Sequence, residues 1–267
     1  MLTSLVLVLG VEKPVTLPPY LGRASHAAFL RMIAETDAGL AERLHAPDER
    51  RPFTCSDLFG VKRQRDGINI LPGAEVFLRY TGLTAEVSHH LRRLAERPPA
   101  TVELDGVPFT VRRATLDPTV HPWAGQSAYQ ELATRHLLQP SPDHRIELEF
   151  LSPTAFRSGG LNVPLPLPGL VYSGLMEKWN AFAPVAIPVE VRRYAEECLA
   201  ISRCNISTRP IPGKGEGLQI GFVGRCRYTA TNRDRYWLGM VQLLTDFAFY
   251  AGVGYQTTVG MGQARRR

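Results

Sequence analysis

Residues 101–111 read TVELDGVPFTV. Val102 and Leu104 alternate with polar neighbours before Asp105-Gly106, and Val107, Phe109 and Val111 alternate after it. A period of two on both sides of Asp-Gly predicts a β-hairpin with a type I′ turn, because that dipeptide accepts two positive φ values. Just upstream, TAEVSHHLRRLAER (84–97) has the apolar spacing of an amphipathic helix. Before it, FTCSDLFG (53–60) and AEVFLRYTGL (74–83) read as strands. At the start of the chain, SLVLVLGV (4–11) has the continuous apolar character of a buried strand.

Between the first two strands lie two short helices. LPPYLGR (17–23) is a turn-rich connection, and Ser25 is expected to cap a helix that begins near His26, with Phe29, Leu30 and Ile33 on its apolar face. In AETDAGLAERLH (34–45), Thr36 and Asp37 are N-cap residues and Gly39 weakens a continuous helix. A break there is expected, with a second short helix through Leu44. The order is therefore strand, helix, strand, strand, helix, strand, which is ferredoxin-like with an added hairpin arm.

LDPTVHP (116–122) marks a boundary between domains, read as 1–120 and 121–267. SAYQELATRHLL (127–138) is a connecting helix, and HRIELEFLSP (144–153) alternates as the first strand of a second unit. After the proline-rich LNVPLPLPG (161–169), a helix is expected over 170–182, and VEVRRYAEECLAI (189–201) is helical in pattern. GLQIGFVGRCRYTA (217–230) reads as a strand. NRDRYWLGMVQLLTDFAFYAG (232–252) reads as a helix with Tyr236, Met240, Leu243, Leu244 and Phe247 on one face. The second half thus repeats the topology of the first, and the fold class is α+β with tandem ferredoxin-like domains.

The 267 residues are 44% hydrophobic and carry a net charge of +6, with a pI near 9.3. Such a chain can bury a large core, and its arginine pairs (50–51, 92–93, 112–113, 192–193) and the run 265–267 favour a polyanionic partner. The charge does not choose between nucleic acid and acidic lipid. The opening MLTSLVLVLGV lacks a basic leader and a cleavage site, and is not read as a signal peptide. Cys55, Cys198, Cys204 and Cys226 have no C-x-x-C or metal-ligand spacing, and read as reduced, mostly buried thiols of a cytoplasmic protein.

The end of the chain, GVGYQTTVGMGQARRR (252–267), is dense in glycine. A Rossmann or P-loop reading fails, since those motifs follow a strand and open a helix. Two readings stand: a tight turn into a last edge strand, or a backbone cradle for phosphate with Tyr255 and Gln256 at a base or sugar and arginines as counter-charge.

Two G-x-G pairs after the last helix of such a fold resemble the repeat-associated RAMP superfamily of CRISPR systems. GVGYQTTVGMGQAR is similar to the form found in the repeat-RNA processing endoribonucleases, the sixth Cas family. LAERLHAPDERRPFTCSDLFG (40–60) resembles that family's histidine segment, and IELEFLSPTAFR (146–157) its second-domain strand. The resemblance implies metal-independent cleavage of CRISPR precursor RNA within repeats, without a cofactor. The 2′-hydroxyl attacks the phosphate and leaves a 2′,3′-cyclic phosphate. His45 falls at the family's catalytic histidine and would be the general base; Arg51 falls where many members carry a lysine and would stabilise the phosphorane. The tyrosine some members place on the first helix is replaced by Leu30, and His26 is the substitute, as general acid. Gly252, Gly254, Tyr255, Gln256, Gly260, Gly262 and Arg265 would bind RNA. The implied partners are repeat RNA and other Cas proteins; a non-catalytic RNA-binding subunit of an effector complex is the alternative. The remaining histidines, His89, His90, His121, His136 and His144, read as structural or surface residues.

A straight helix over 26–45 would hold the two histidines about 28 Å apart. A fold-back at Thr36-Asp37 would return residue 45 towards the first helix.

Overall fold

The computed structural model describes residues 1–46, 50–64, 67–213 and 217–267. Two compact units emerge: residues 1–126 with 258–260, and residues 127–257 with 261–267.

The first unit opens with β1 (Leu2–Gly10) and β2 (Val15–Leu17), followed by α1 (Gly22–Ala34) and α2 (Ala38–His45). Then come β3 (Phe53–Cys55), β4 (Arg63–Gln64), β5 (Gly67–Ile70), β6 (Val76–Gly82) and α3 (Ala85–Glu96). The hairpin β7 (Thr101–Leu104) and β8 (Val107–Thr115) follows, and β9 (Gly125–Ser127) comes last. The main sheet runs β3-β6-β1-β8-β7. Omitting the extra arm β7, this is the 2-3-1-4 order of a ferredoxin-like sheet. The Asp105-Gly106 turn has φ values of 51° and 77°, as the hairpin requires.

Every residue of β1 is buried, because the strand is covered on both faces. Leu5, Leu7 and Leu9 join Phe29, Ile33, Tyr80 and Phe109 in one apolar core. On the other face Ser4 donates to the Trp123 carbonyl at 2.6 Å. The fully buried Arg79 donates to Ser4 Oγ at 2.8 Å and lies 5.2 Å from the Trp123 ring centroid.

In the second unit, α4 (Tyr129–Leu137) precedes β10 (Arg145–Thr154), β11 (Phe156–Ser158) and β12 (Leu161–Val163). Next are α5 (Pro168–Phe182), α6 (Val191–Cys198), β13 (Leu199–Pro212), β14 (Leu218–Ala230), α7 (Arg235–Ala251) and β15 (Ala264–Arg266). The sheet order β13-β14-β10-β15 is again 2-3-1-4. The tandem ferredoxin-like fold is what the pattern of elements led us to expect. No described helix is long and apolar enough to cross a membrane.

Several local expectations are corrected. Ser25 does not cap α1; it is buried inside the helix, which starts at Gly22. The buried carboxylate of Asp57 holds that helix start instead, accepting from Leu21 N at 2.8 Å. The helical pattern of 189–201 ends at Cys198, and Leu199 begins β13, which was not anticipated because nearly all of its residues are exposed. The strand expected over 53–60 stops at Cys55. The small sheet β2-β5-β4 was also unforeseen. Of the cysteines, Cys55 and Cys226 are buried while Cys204 is exposed.

Candidate active site

The break between α1 and α2 falls where the sequence places it. Asp37 is the N-cap of α2 and accepts from Leu40 N at 2.8 Å, which satisfies one of the orphan donors of a helix start. The chain folds back and α2 packs on α1. His45, the last residue of α2, is exposed; residues 47–49 of the histidine segment lie outside the described residues. Arg51 is half-buried just before β3.

His26 sits in the second turn of α1, half-buried, with its ring stacked on Phe53 at 5.7 Å and 22°. Its Nδ1 lies 2.9 Å from the Thr258 carbonyl oxygen. A carbonyl only accepts, so Nδ1 carries the proton and the neutral ring keeps its lone pair on Nε2. Burial pushes the imidazole's pKa below its ordinary value. The Thr258 bond opposes this, and the charges of Arg51 and His45 add to the depression. His26 thus feels the charge of both other residues singled out from the sequence. The arrangement offers an uncharged imidazole as proton acceptor, a second imidazole, and a guanidinium.

The glycine stretch is not an open cradle. Gly252 N donates to Ala248 O, Val253 N to Gly262 O, and Tyr255 N to Ala155 O. Gly260 N donates to Cys55 O, Met261 N to Gln256 O, and Gly262 N to Pro153 O. Gly252, Gly260 and Gly262 are buried. The turn reading is the one this backbone follows, and it leads into β15, which pairs with β10. Gly260 has φ of 101°, and a Cβ there would stand 2.6 Å from the Tyr20 hydroxyl and 2.8 Å from Gly22 Cα. The glycines therefore permit close backbone approach.

Gly254, Tyr255 and Gln256 remain partly exposed. Gln256 adopts φ of 56°, a conformation costly for a residue with a Cβ, and its amide donates to the Tyr255 hydroxyl at 2.8 Å. Arg157, which the sequence reading passed over, stacks on the Tyr255 ring at 4.9 Å. The terminal arginines each pair with a carboxylate. Arg265 Nε pairs with Glu149 at 2.8 Å, Arg267 reaches the same carboxylate at 3.2 Å, and Arg266 pairs with Asp246. Lys178 Nζ, also unforeseen, donates to the Ala251 and Gly252 carbonyls at 2.8 and 3.2 Å, where α7 ends.

Among the other histidines, His90 is buried beside Asp37 at 3.6 Å, and His136 Nε2 is 2.6 Å from Asp246. Both hold elements together. Leu30 packs against the core of the first unit.

Comparison with known proteins follows the same lines. A family model described as CRISPR-associated endoribonuclease Cas6 matches residues 148–264, and one described as the CRISPR Cas6 N-terminal domain matches residues 1–81. A CRISPR-associated endoribonuclease Cas6 of Mycobacterium tuberculosis is 29% identical over 123 residues, which make up 45% of this chain and 38% of that protein. The match to that relative thus spans well under half of its length. Among solved structures, a Cas6 product complex has a TM-score of 0.78 and 31% identity, covering 100% of this chain and 99% of its own. Thermus thermophilus Cas6 has a TM-score of 0.76 and 26% identity, covering 100% and 98%.

Proposed function

The chain belongs to the Cas6 family of CRISPR-associated endoribonucleases, and on that premise we propose that it cleaves CRISPR precursor RNA within its repeats to release guide RNAs. Solved relatives described as Cas6 product and substrate-mimic complexes support repeat RNA as the partner. The N-terminal domain would carry the proton transfers and the C-terminal domain would contribute RNA contacts. The setting would be the cytoplasm, where the precursor transcript is made.

The observation that carries the mechanism is the His26 imidazole, with Nδ1 bonded to the Thr258 carbonyl and its affinity for protons lowered. This exchanges the roles expected from sequence. His26 Nε2 takes the proton from the 2′-hydroxyl, and the resulting oxygen attacks the adjacent phosphorus. Arg51 stabilises the additional negative charge of the phosphorane. The bond to the 5′-oxygen breaks, and His45 supplies the proton that this oxygen needs. The products are a 2′,3′-cyclic phosphate and a 5′-hydroxyl, and no metal takes part. Tyr255, Gln256 and Arg157 would contact RNA through stacking and charge. Two imidazoles and a guanidinium gathered in one unit favour the nuclease over the non-catalytic subunit.

The test is cleavage of a labelled repeat RNA in excess EDTA, beside the same RNA carrying a 2′-deoxy sugar at the cut. Cleavage that survives EDTA and disappears with the 2′-deoxy substrate is expected. Dependence on added divalent metal, or cleavage of the 2′-deoxy RNA, would contradict the proposal.

A further inference from the structure

The three residues Thr258–Gly260 pack with the first unit, although the chain on either side of them belongs to the second. They are held at four points. His26 Nδ1 donates to Thr258 O at 2.9 Å, and the Tyr20 hydroxyl donates to Val259 O at 2.6 Å. Gly260 N donates to Cys55 O at 3.0 Å. Gly22 leaves no room for a side chain, since a Cβ there would overlap the Val259 carbonyl. Two consecutive carbonyls, 258 and 259, thus face two donors on and just before α1.

Tyr20 is itself fixed. Its neighbour Leu21 donates to Asp57 Oδ1 at 2.8 Å, and Arg63 joins Asp57 Oδ2 at 2.6 Å while donating to Pro19 O at 3.1 Å. Burial, with the Asp57 charge adding to it, raises the pKa of the phenol, so Tyr20 stays a donor.

We propose that Tyr20 is a positioning residue for His26: by holding the Val259 carbonyl it fixes the Val259–Gly260 peptide and, through Val259, the adjoining Thr258 carbonyl, which keeps the His26 proton on Nδ1 and leaves Nε2 bare. This rests on the reading of His26 as the general base. Neutral imidazole free in water prefers the opposite tautomer, with the proton on Nε2, which cannot accept the 2′-hydroxyl proton there. Tautomer choice is set by the hydrogen bond at the other nitrogen. The glycine stretch acquires a second role beyond turning the chain, as the template for a catalytic imidazole.

The experiment compares wild type, Tyr20→Phe and His26→Ala by single-turnover cleavage and by nitrogen NMR of the labelled imidazoles. Wild-type His26 should show a protonated Nδ1 and an unprotonated Nε2. Tyr20→Phe should show a mixture of tautomers and a rate lower by about 3- to 10-fold, as expected for one lost hydrogen bond, with RNA binding unchanged. Gly260→Ala, which displaces the same peptide from the other side, should shift the tautomer in the same direction. A wild-type Nε2–H tautomer, or an unchanged tautomer and rate in Tyr20→Phe, would overturn the proposal. Wild-type cleavage by His26→Ala would instead remove the base assignment, and the tautomer measurement would still decide whether Tyr20 positions the ring.

Discussion

The two units share one strand order and differ in what their crossover helices carry. In the first, α1 ends at Ala34 and Asp37 caps a new helix, α2, and the chain carries His26 on α1 and His45 at the end of α2. In the second, the corresponding pair α5 and α6 is broken between Phe182 and Val191 and carries no histidine. Tyr172, Trp179 and Tyr194 sit there instead, all buried. The same topology therefore carries the histidines proposed for proton transfer in one case and a packed aromatic core in the other. The distinction lies in a handful of side chains and in a borrowed tripeptide, Thr258–Gly260.

That contrast can be broken most forcefully at the histidines. His26→Ala and His45→Ala should each lower single-turnover cleavage by about 10²- to 10⁴-fold while RNA binding persists. His136→Asn, in the second unit, should leave the rate intact. It removes a partner of Asp246 and should cost stability of about 1–3 kcal/mol in denaturant titrations. Arg51→Ala comes next, with a loss of about 10²-fold in rate, partly restored by Arg51→Lys, because a point charge replaces some of the phosphorane stabilisation. Arg157→Ala sharpens the other side of the contrast: cleavage at saturation holds, and the salt dependence of RNA affinity should flatten by about 0.7 in its logarithmic slope.

Smaller effects follow from the helix break and from protonation. Asp37→Ala removes the α2 cap and should destabilise the fold by about 1 kcal/mol. For His26 the folded pKa lies below the unfolded one, so the unfolded chain binds more protons between the two values and stability rises with pH across that window. This contribution is complete above the ordinary imidazole value of 6.5 and is lost as pH falls through the depressed folded value. The same depression places the acid limb of the cleavage profile below 6.5, readable in a pH series of kcat/KM.

The sequence disclosed what local chemistry controls. Thr36-Asp37 announces the helix break, Asp105-Gly106 the hairpin, and period-two alternation the strands β8 and β10, because each depends on residues a few positions apart. It concealed what distant residues supply. The start of α1 is held by Asp57, well downstream, so a nearby serine looked like the cap. The edge strand β13 faces solvent along most of its length and so lacks an apolar alternation. The histidine segment was legible through resemblance, whereas the Thr258 carbonyl bonded to His26 is separated from it by more than two hundred residues. The glycines pointed to close backbone approach without saying which backbone came close.

The assignment of His26 as base and His45 as acid is tested most directly with a repeat RNA whose leaving 5′-oxygen is replaced by sulfur. A thiolate leaves without being protonated, so the acid becomes dispensable while the base does not. This substrate should restore cleavage to His45→Ala and leave His26→Ala inactive. Restoration of His26→Ala, with His45→Ala remaining inactive, would contradict the assignment and return His45 to the role of base.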